Sequence, residues 1–420
     1  MTQSTTAPAG GAHAFHHAPM SNCPFMPVFG PPAIMMERGR GTELWDSEGK
    51  RYLDFLAGIA VVSLGHANTV VAEAVGDQAE RLVHVSNFFA NPVATEAAVK
   101  INDLLAGATG RRGQVFFTNS GAESNECAIK LARKYGGRGR HTVVSALGSF
   151  HGRTLATLAA TGQPAKHEPF VPMPDGFRHV AWGDVDALRA AVDGTVAAVL
   201  IEPIQGEGGV NPAPAGYLQA IREVCDETGA LMIVDEIQTG FGRTGRWFGF
   251  EHAGVAPDVV TLAKAMGNGM PIGACWAAVD VAAVFEPGDH GSTYSGTALA
   301  TAAVNAVIDE MQRLDAPALA ERQGRRIVDA LRGVAGVADV RGRGLMLGVE
   351  LQAGIDAKAV YQELLDLGLI TNAVTASTLR LIPPLTVSDD EIDEAVAMIA
   401  AVLAGHVAGG DGDERDGGAS

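Results

Sequence analysis

Cysteine is sparse in this 420-residue chain. The four residues, Cys23, Cys127, Cys225 and Cys275, are widely spaced, with no CxxC pair and no ligand-like clustering. That excludes a disulfide scaffold or a zinc ribbon, predicts no metal site, and suits a reducing compartment such as the cytoplasm. Positive charge is also short: 31 Lys and Arg against 48 Asp and Glu give a formal charge of −17. No basic patch interrupts it, so a nucleic-acid partner is not expected. The longest apolar stretch, residues 395–405, is too short to span a bilayer and is patterned like a helix with one buried face, so no membrane partner is expected. The N-terminus lacks a basic segment followed by an apolar core, so it does not read as a signal peptide. A GxxxxGK[ST] loop is missing, which argues against an NTPase, and Gly342-x-Gly344 has neither the spacing nor the context of a dinucleotide loop.

What is present is a packable chain, 47% hydrophobic and 19% charged, which excludes general disorder. Its length suggests two or three domains of roughly 150 residues. Residues 1–25 and 406–420 read as flexible tails, and His13, His16 and His17 in the first have no fixed geometry for a metal. Between them, runs at 115–118, 142–146, 197–202, 231–235, 259–263 and 274–279 read as strands buried on both faces, separated by helices near 123–135 and 217–228. Alternation of this kind predicts an α/β domain with a mostly parallel sheet and ligands at the C-terminal strand ends. After residue 300 the texture becomes α+β. Strands fall around 341–348, and one helix has Val360, Leu364 and Leu367 on one face and stops at Gly368. The last helix opens on a Ser388-x-x-Glu391 capping box and repeats Ile392, Val396, Ile399 and Leu403. The expected division is residues 26–85 and 301–405 for a smaller α+β domain and 86–300 for the large one.

Three places carry chemistry. The apolar run 231–234 ends in Asp235, a charge that is costly in a sheet unless it meets a cation. Either an ordinary strand-end ion pair or a carboxylate for a cationic ligand atom satisfies it. Of seven lysines (Lys50, Lys100, Lys130, Lys134, Lys166, Lys264 and Lys358), only Lys264 follows a buried strand and precedes a glycine-rich turn. A desolvated lysine there becomes nucleophilic toward carbonyls. Third, TNSGAESNE at 118–126 runs from a strand through Ser120-Gly121 into a helix, whose free N–H groups suit a phosphate. An anion cradle, a carboxylate for a ring cation and a carbonyl-trapping lysine match the phosphate, pyridinium nitrogen and aldehyde of pyridoxal 5′-phosphate.

With SGAESNE, SFHGRT, EPIQGEGG, DEIQTGFGRTG, LAKAMGNGMPIG and HGSTYSG in that order, the chain resembles the class III aminotransferases of the fold-type I pyridoxal-phosphate enzymes from about Met26 to Leu403. WDSEGKRYLDFLAGIAVVSLGH and Val85-Ser86-Asn87 make it most similar to the acetylornithine aminotransferase branch. The resemblance implies a mostly parallel large domain and a smaller domain built from both ends of the chain. It implies that Lys264 holds the cofactor covalently and shuttles a proton, and that Asp235 keeps the pyridinium nitrogen protonated. Gln238 would bond the phenolic oxygen, Ser120, Gly121 and Ala122 the phosphate, and Phe150 would stack on the ring. The family more often has Thr at Ala122, and Gly-Gly-Asn where this chain has Ser295-Gly296-Thr297. Thr293 would reach the partner subunit's phosphate and Ser292 the partner's substrate, implying a homodimer with shared active sites.

The implied partners are small amino and oxo acids. Arg153 would bind a substrate carboxylate, and Glu207 would mask Arg380 until glutamate or 2-oxoglutarate displaces it. The activity implied is transfer of the δ-amino group of N2-acetylornithine to 2-oxoglutarate in arginine biosynthesis. Alternatives are 4-aminobutyrate, ornithine and succinyldiaminopimelate transamination, or a glutamate-1-semialdehyde-type aminomutase. Ile59, where ornithine transaminases carry Tyr, counts against free ornithine. A non-enzymatic binding protein would have no use for Lys264 and Asp235 together.

Overall fold

Strands without a polar face demand cover on both sides, and the chain meets that demand with a seven-stranded sheet layered between helices. The computed structural model describes residues 25–29 and 34–410. Across the sheet the order is Gly113–Thr118, Gly273–Ala278, Val259–Leu262, Leu231–Asp235, Val196–Ile201, Thr142–Ala146 and Phe177–Val180. Gly273–Ala278 is antiparallel to both neighbours and the remaining pairs are parallel. The six strands expected from apolar runs are all there. Phe177–Val180 has no such run to announce it, because an edge strand tolerates Arg178 and His179 half-buried.

Helix Gly121–Gly136 starts where Ser120 Oγ accepts the Glu123 N–H at 3.2 Å, and it buries Cys127, Ala128, Leu131 and Ala132 against the sheet. Helix Tyr217–Thr228 buries Leu218, Ile221, Val224 and Cys225 and ends at Gly229, whose φ of 68° only glycine adopts at little cost. Thr297 caps helix Ala298–Leu314, so the departure from the family's loop there supplies a helix start.

The two ends of the chain build the remaining layers. A four-stranded sheet joins Met36–Arg40, Glu43–Asp46 and Arg51–Asp54 to Leu369–Ile370, which pairs in parallel with Arg51–Asp54. An antiparallel sheet of Val337–Arg343, Met346–Leu351, Thr378–Leu381 and Asn372–Ala373 packs with helices Ala316–Leu331, Ala357–Leu367 and Asp389–Gly410. The expected capping box forms: Glu391 Oε2 accepts the Ser388 N–H at 2.7 Å, and Ser388 Oγ accepts the Glu391 N–H at 3.3 Å. Two expectations need correction. Residues 406–410, assigned to a tail, continue the last helix, and His406 Nε2 lies 3.0 Å from Glu363. Leu367, placed on a buried face, is exposed beside its Gly368 stop. Residues 1–24, with His13, His16, His17 and Cys23, and residues 411–420 lie outside the described residues.

Arg243 ties these parts together. Its buried guanidinium donates to Leu345 O at 3.0 Å, Pro383 O at 2.5 Å and Ser63 Oγ at 3.0 Å. From the sheet side, Asn268 Oδ1 accepts the Leu64 N–H at 2.8 Å. The segments around Ser63–Leu64, Leu345 and Pro383 are thereby fixed over the edge where the parallel strands end.

Candidate active site

At that edge lies a cavity of about 380 Å³. Its walls include Ser120, Gly121, Ala122, Phe150, Arg153, Glu207, Asp235, Gln238 and Lys264. Nine expected site residues thus converge on one space. Arg380 stands behind Glu207, and Ser292 and Thr293 lie off the cavity.

Asp235 closes its strand buried, and three donors hold its carboxylate. Oδ2 accepts from Asn125 Nδ2 at 2.8 Å and from His151 Nδ1 at 2.9 Å, and Oδ1 accepts the Ile237 N–H at 3.1 Å. His151 Nε2 is buried without a hydrogen-bond partner among the described residues. Asn125 also donates to the His151 carbonyl at 2.8 Å, locking the pair. A carboxylate so fixed is built to face a cation.

Lys264 follows its strand through Ala263 and opens a short 3₁₀ turn, Lys264–Gly267. Its φ of 46° is uncommon outside glycine and costs on the order of 1–3 kcal/mol, which the surrounding fold must hold. Burial pulls its ammonium down to about 8, and the charge of Arg380 pushes the same way. At neutral pH a useful fraction is therefore free amine, the nucleophilic form.

Ser120 caps the helix whose first turn, Gly121 and Ala122, faces the cavity. Asn119 Nδ2 donates to Ser292 Oγ at 2.9 Å, which places Ser292 beside this cradle in its own chain. Thr293 is exposed. Phe150 is half-buried against the cavity instead of lost in the core, with the Arg153 guanidinium carbon 5.4 Å from its ring centroid. Arg380 is 1% exposed; it donates to Glu207 Oε1 at 2.5 Å, Asn372 Oδ1 at 2.8 Å and Gln238 Oε1 at 3.4 Å. Burial opposes the Glu207 charge, yet Arg380 holds the Glu207 carboxyl below its ordinary range. Gly206 leaves room for Gln238: a Cβ there would stand 2.2 Å from Gln238 Oε1 and push that amide aside.

Sequence reasoning passed over Glu202, Asn125 and His151. Glu202 follows the apolar strand Val196–Ile201 much as Asp235 ends Leu231–Asp235, so the same signal was there. Its Oε2 accepts the Phe150 N–H at 3.2 Å, and burial, reinforced by Asp235, raises its carboxyl well above the usual range. His151 and Asn125 sit inside SFHGRT and SGAESNE but have no strand-end signature of their own. Ile59 lies 40% exposed with φ 67° and does not line the cavity; Val61 of the same segment does.

The aminotransferase class-III family matches residues 27–403. The chain belongs to the class III aminotransferases. Among curated relatives, the acetylornithine aminotransferase of Corynebacterium efficiens is 48% identical over 383 residues, covering 90% of this chain and 94% of that one. That of Methanopyrus kandleri is 48% identical over 374 residues, 88% of this chain and 94% of its own. Among solved structures, an ornithine aminotransferase of Toxoplasma gondii with partial occupancy of PLP at its active site superposes with a TM-score of 0.84 at 35% identity. The match covers 90% of this chain and 92% of that one. The N-acetylornithine aminotransferase of Stenotrophomonas maltophilia gives 0.78 at 35%, over 90% and 98%. For this class III aminotransferase the three parts expected for pyridoxal 5′-phosphate face one cavity: helix N-terminus, fixed buried carboxylate and low-pKa lysine. The donor set fits the group. No helix among the described residues is long and apolar enough to cross a membrane.

Proposed function

We propose that this aminotransferase uses pyridoxal 5′-phosphate to move the δ-amino group of N2-acetylornithine to 2-oxoglutarate, giving N-acetylglutamate 5-semialdehyde and glutamate. The observation that carries the substrate reading is a pair of unequal cations: Arg153 stands open at the cavity, while Arg380 is masked by Glu207 at 2.5 Å. An amino donor with one carboxylate needs one cation, and a donor with two needs the second released.

When bound, the cofactor supplies an aldehyde for amines and a protonated ring that accepts an electron pair. Lys264 Nζ would hold the aldehyde and, as a free amine, would carry a proton from and back to the substrate's amine-bearing carbon. Its lowered pKa suits both directions of transfer near neutral pH. Asp235 holds the ring nitrogen's proton, and Asn125 and His151 keep its carboxylate in place for that task. Gln238 would bond the phenolic oxygen, the amides of Ser120, Gly121 and Ala122 would take the phosphate, and Phe150 would stack on the ring, since all line the cavity. Arg153 binds the α-carboxylate of N2-acetylornithine. Glu207 gives up Arg380 when glutamate brings its own α-carboxylate.

The same reading makes the enzyme a cytoplasmic homodimer in which Thr293 reaches the partner subunit's phosphate. Exposed Phe88, Phe89 and Tyr294 support it: Asn87 Nδ2 donates to Ser292 O at 3.1 Å, joining their two segments, and exposed apolar side chains gathered in this way mark an interaction surface. The test is a single-turnover screen of ω-amines on the yellow holoenzyme, following loss of visible absorbance. N2-acetylornithine should react fastest and 2-oxoglutarate should restore the colour; an unmodified diamine or 4-aminobutyrate outpacing it would overturn the assignment.

A further inference from the structure

Two cations lie close to the ring of Phe150 and close enough to repel each other. The Arg153 guanidinium carbon lies 5.4 Å from the ring centroid and the Lys166 Nζ 5.3 Å. Neither has an ion-pair or hydrogen-bond partner among the described residues. The chain does not lack acids to compensate them, with 48 Asp and Glu. It pairs Lys100 with Glu96 and Asp309, and Lys134 with Glu286 and Asp289. The acid whose charge Lys166 feels, Glu207, is already committed to Arg380.

Lys166 is also held in place. It closes the turn Pro164–Lys166, which is stitched to the loop carrying Phe150. Gln163 Nε2 donates to Ser149 O at 2.8 Å, Ser149 Oγ accepts the Gly162 N–H at 3.0 Å, and His167 Nε2 donates to Thr161 O at 2.7 Å. Gly162 permits the close approach, since a Cβ would stand 2.0 Å from Ala146 O. Half-buried, Lys166 loses hydration and meets the repulsion of Arg153, both of which pull its ammonium down. An anion beside the two would relieve both.

We propose that Lys166 is the second cation of a carboxylate subsite headed by Arg153, and that it determines specificity for amino donors whose far end is anionic. The proposal rests on the substrate reading above: the ligand is the α-carboxylate of N2-acetylornithine and, in the other half-reaction, the side-chain carboxylate of glutamate. The guanidinium fork fixes the plane of the carboxylate, and the ammonium adds a compact charge that deepens the local potential.

The test measures glutarate binding to the holoenzyme by calorimetry, beside steady-state kinetics with N2-acetylornithine and its uncharged carboxamide. Lys166→Gln should weaken glutarate about fivefold, the size of one exposed charge contact. It should raise KM for N2-acetylornithine by a similar factor with kcat kept, and leave the carboxamide unchanged. Lys166→Arg should restore most of the affinity, and the loss should shrink in an Arg153→Gln background because both residues serve one carboxylate. The gap between wild type and Lys166→Gln should narrow as salt rises. Glutarate affinity within twofold of wild type in Lys166→Gln, or an equal loss for the carboxamide, overturns the proposal. If wild type fails to turn over N2-acetylornithine while Lys166→Gln still weakens glutarate, the substrate reading fails and the subsite stands.

Discussion

Replacing Glu207 with Ala separates a masking role from scaffolding. Arg380 is buried, and its two terminal guanidinium nitrogens donate to Glu207, Gln238 and Asn372. Removing partly exposed Glu207 from buried Arg380 costs up to about 3 kcal/mol, because the remaining buried charge is left less compensated. The resting enzyme should therefore melt lower, and saturating glutarate should return much of the loss by supplying a carboxylate to Arg380. In single-turnover absorbance, the variant should react faster with glutamate. N2-acetylornithine is then offered a wrong carboxylate anchor at Arg380 and binds non-productively. The ratio of its rate to that of glutamate should fall about tenfold, or roughly 1.4 kcal/mol, less than the full cost because Asn372 and Gln238 still hold part of the guanidinium. Arg380→Ala should do the reverse, crippling glutamate and sparing N2-acetylornithine. If both variants slow both donors equally, and glutarate fails to restore the Glu207→Ala melting temperature, the masking argument is refuted.

Lys264→Ala should abolish turnover, and borohydride followed by peptide mapping should label Lys264; a label on another lysine would contradict the assignment. Only the free amine captures an aldehyde, so cofactor uptake by the apoenzyme should rise with pH to a midpoint near 8, not near the ordinary lysine value of about 10.4. Asp235→Asn should keep the fold and the cofactor yet lose most activity, since Asn bonds the ring nitrogen without stabilising its charge. Near-normal turnover would make Asp235 merely structural. Gly206→Ala should dislodge Gln238, where a Cβ would stand 2.2 Å from Oε1, and shift the visible absorbance maximum of the holoenzyme; an unchanged spectrum would remove Gln238 from the cofactor's surroundings.

The central sheet was legible because a strand covered on both faces has no option but an apolar run, and the charge that ends it is conspicuous. Asp235 and Lys264 were visible for that reason. The edge strand Phe177–Val180 was not, since half-exposure lets Arg178 and His179 into it. Lys166 follows no buried strand and carries no signal in the sequence; only the turn stitched to Ser149 brings it over Phe150. His151 was invisible as a support for Asp235, because a contact between residues 84 apart leaves no local trace. Glu202 stands after a run like the one before Asp235, so its place was legible by the same signal.

Leu369–Ile370 completes a sheet whose other strands lie between Met36 and Asp54, and this imposes an order on synthesis. Leu53 N–H donates to Gly368 O at 2.8 Å and Phe55 N–H to Ile370 O at 2.9 Å, while Phe55 O accepts the Ile382 N–H at 2.8 Å. Lys50 waits for the carbonyl of Asp366, 316 residues later. At about 5–20 residues per second, that wait on the ribosome lasts on the order of 15–60 s. The strands of the large sheet, all between Gly113 and Ala278, emerge and close meanwhile. Arg51–Asp54 spends the interval as an open strand edge, the kind that recruits other chains. A chain stalled near residue 340 would carry the complete cofactor-binding sheet and still be the aggregation-prone species, with protease cuts concentrated before residue 66.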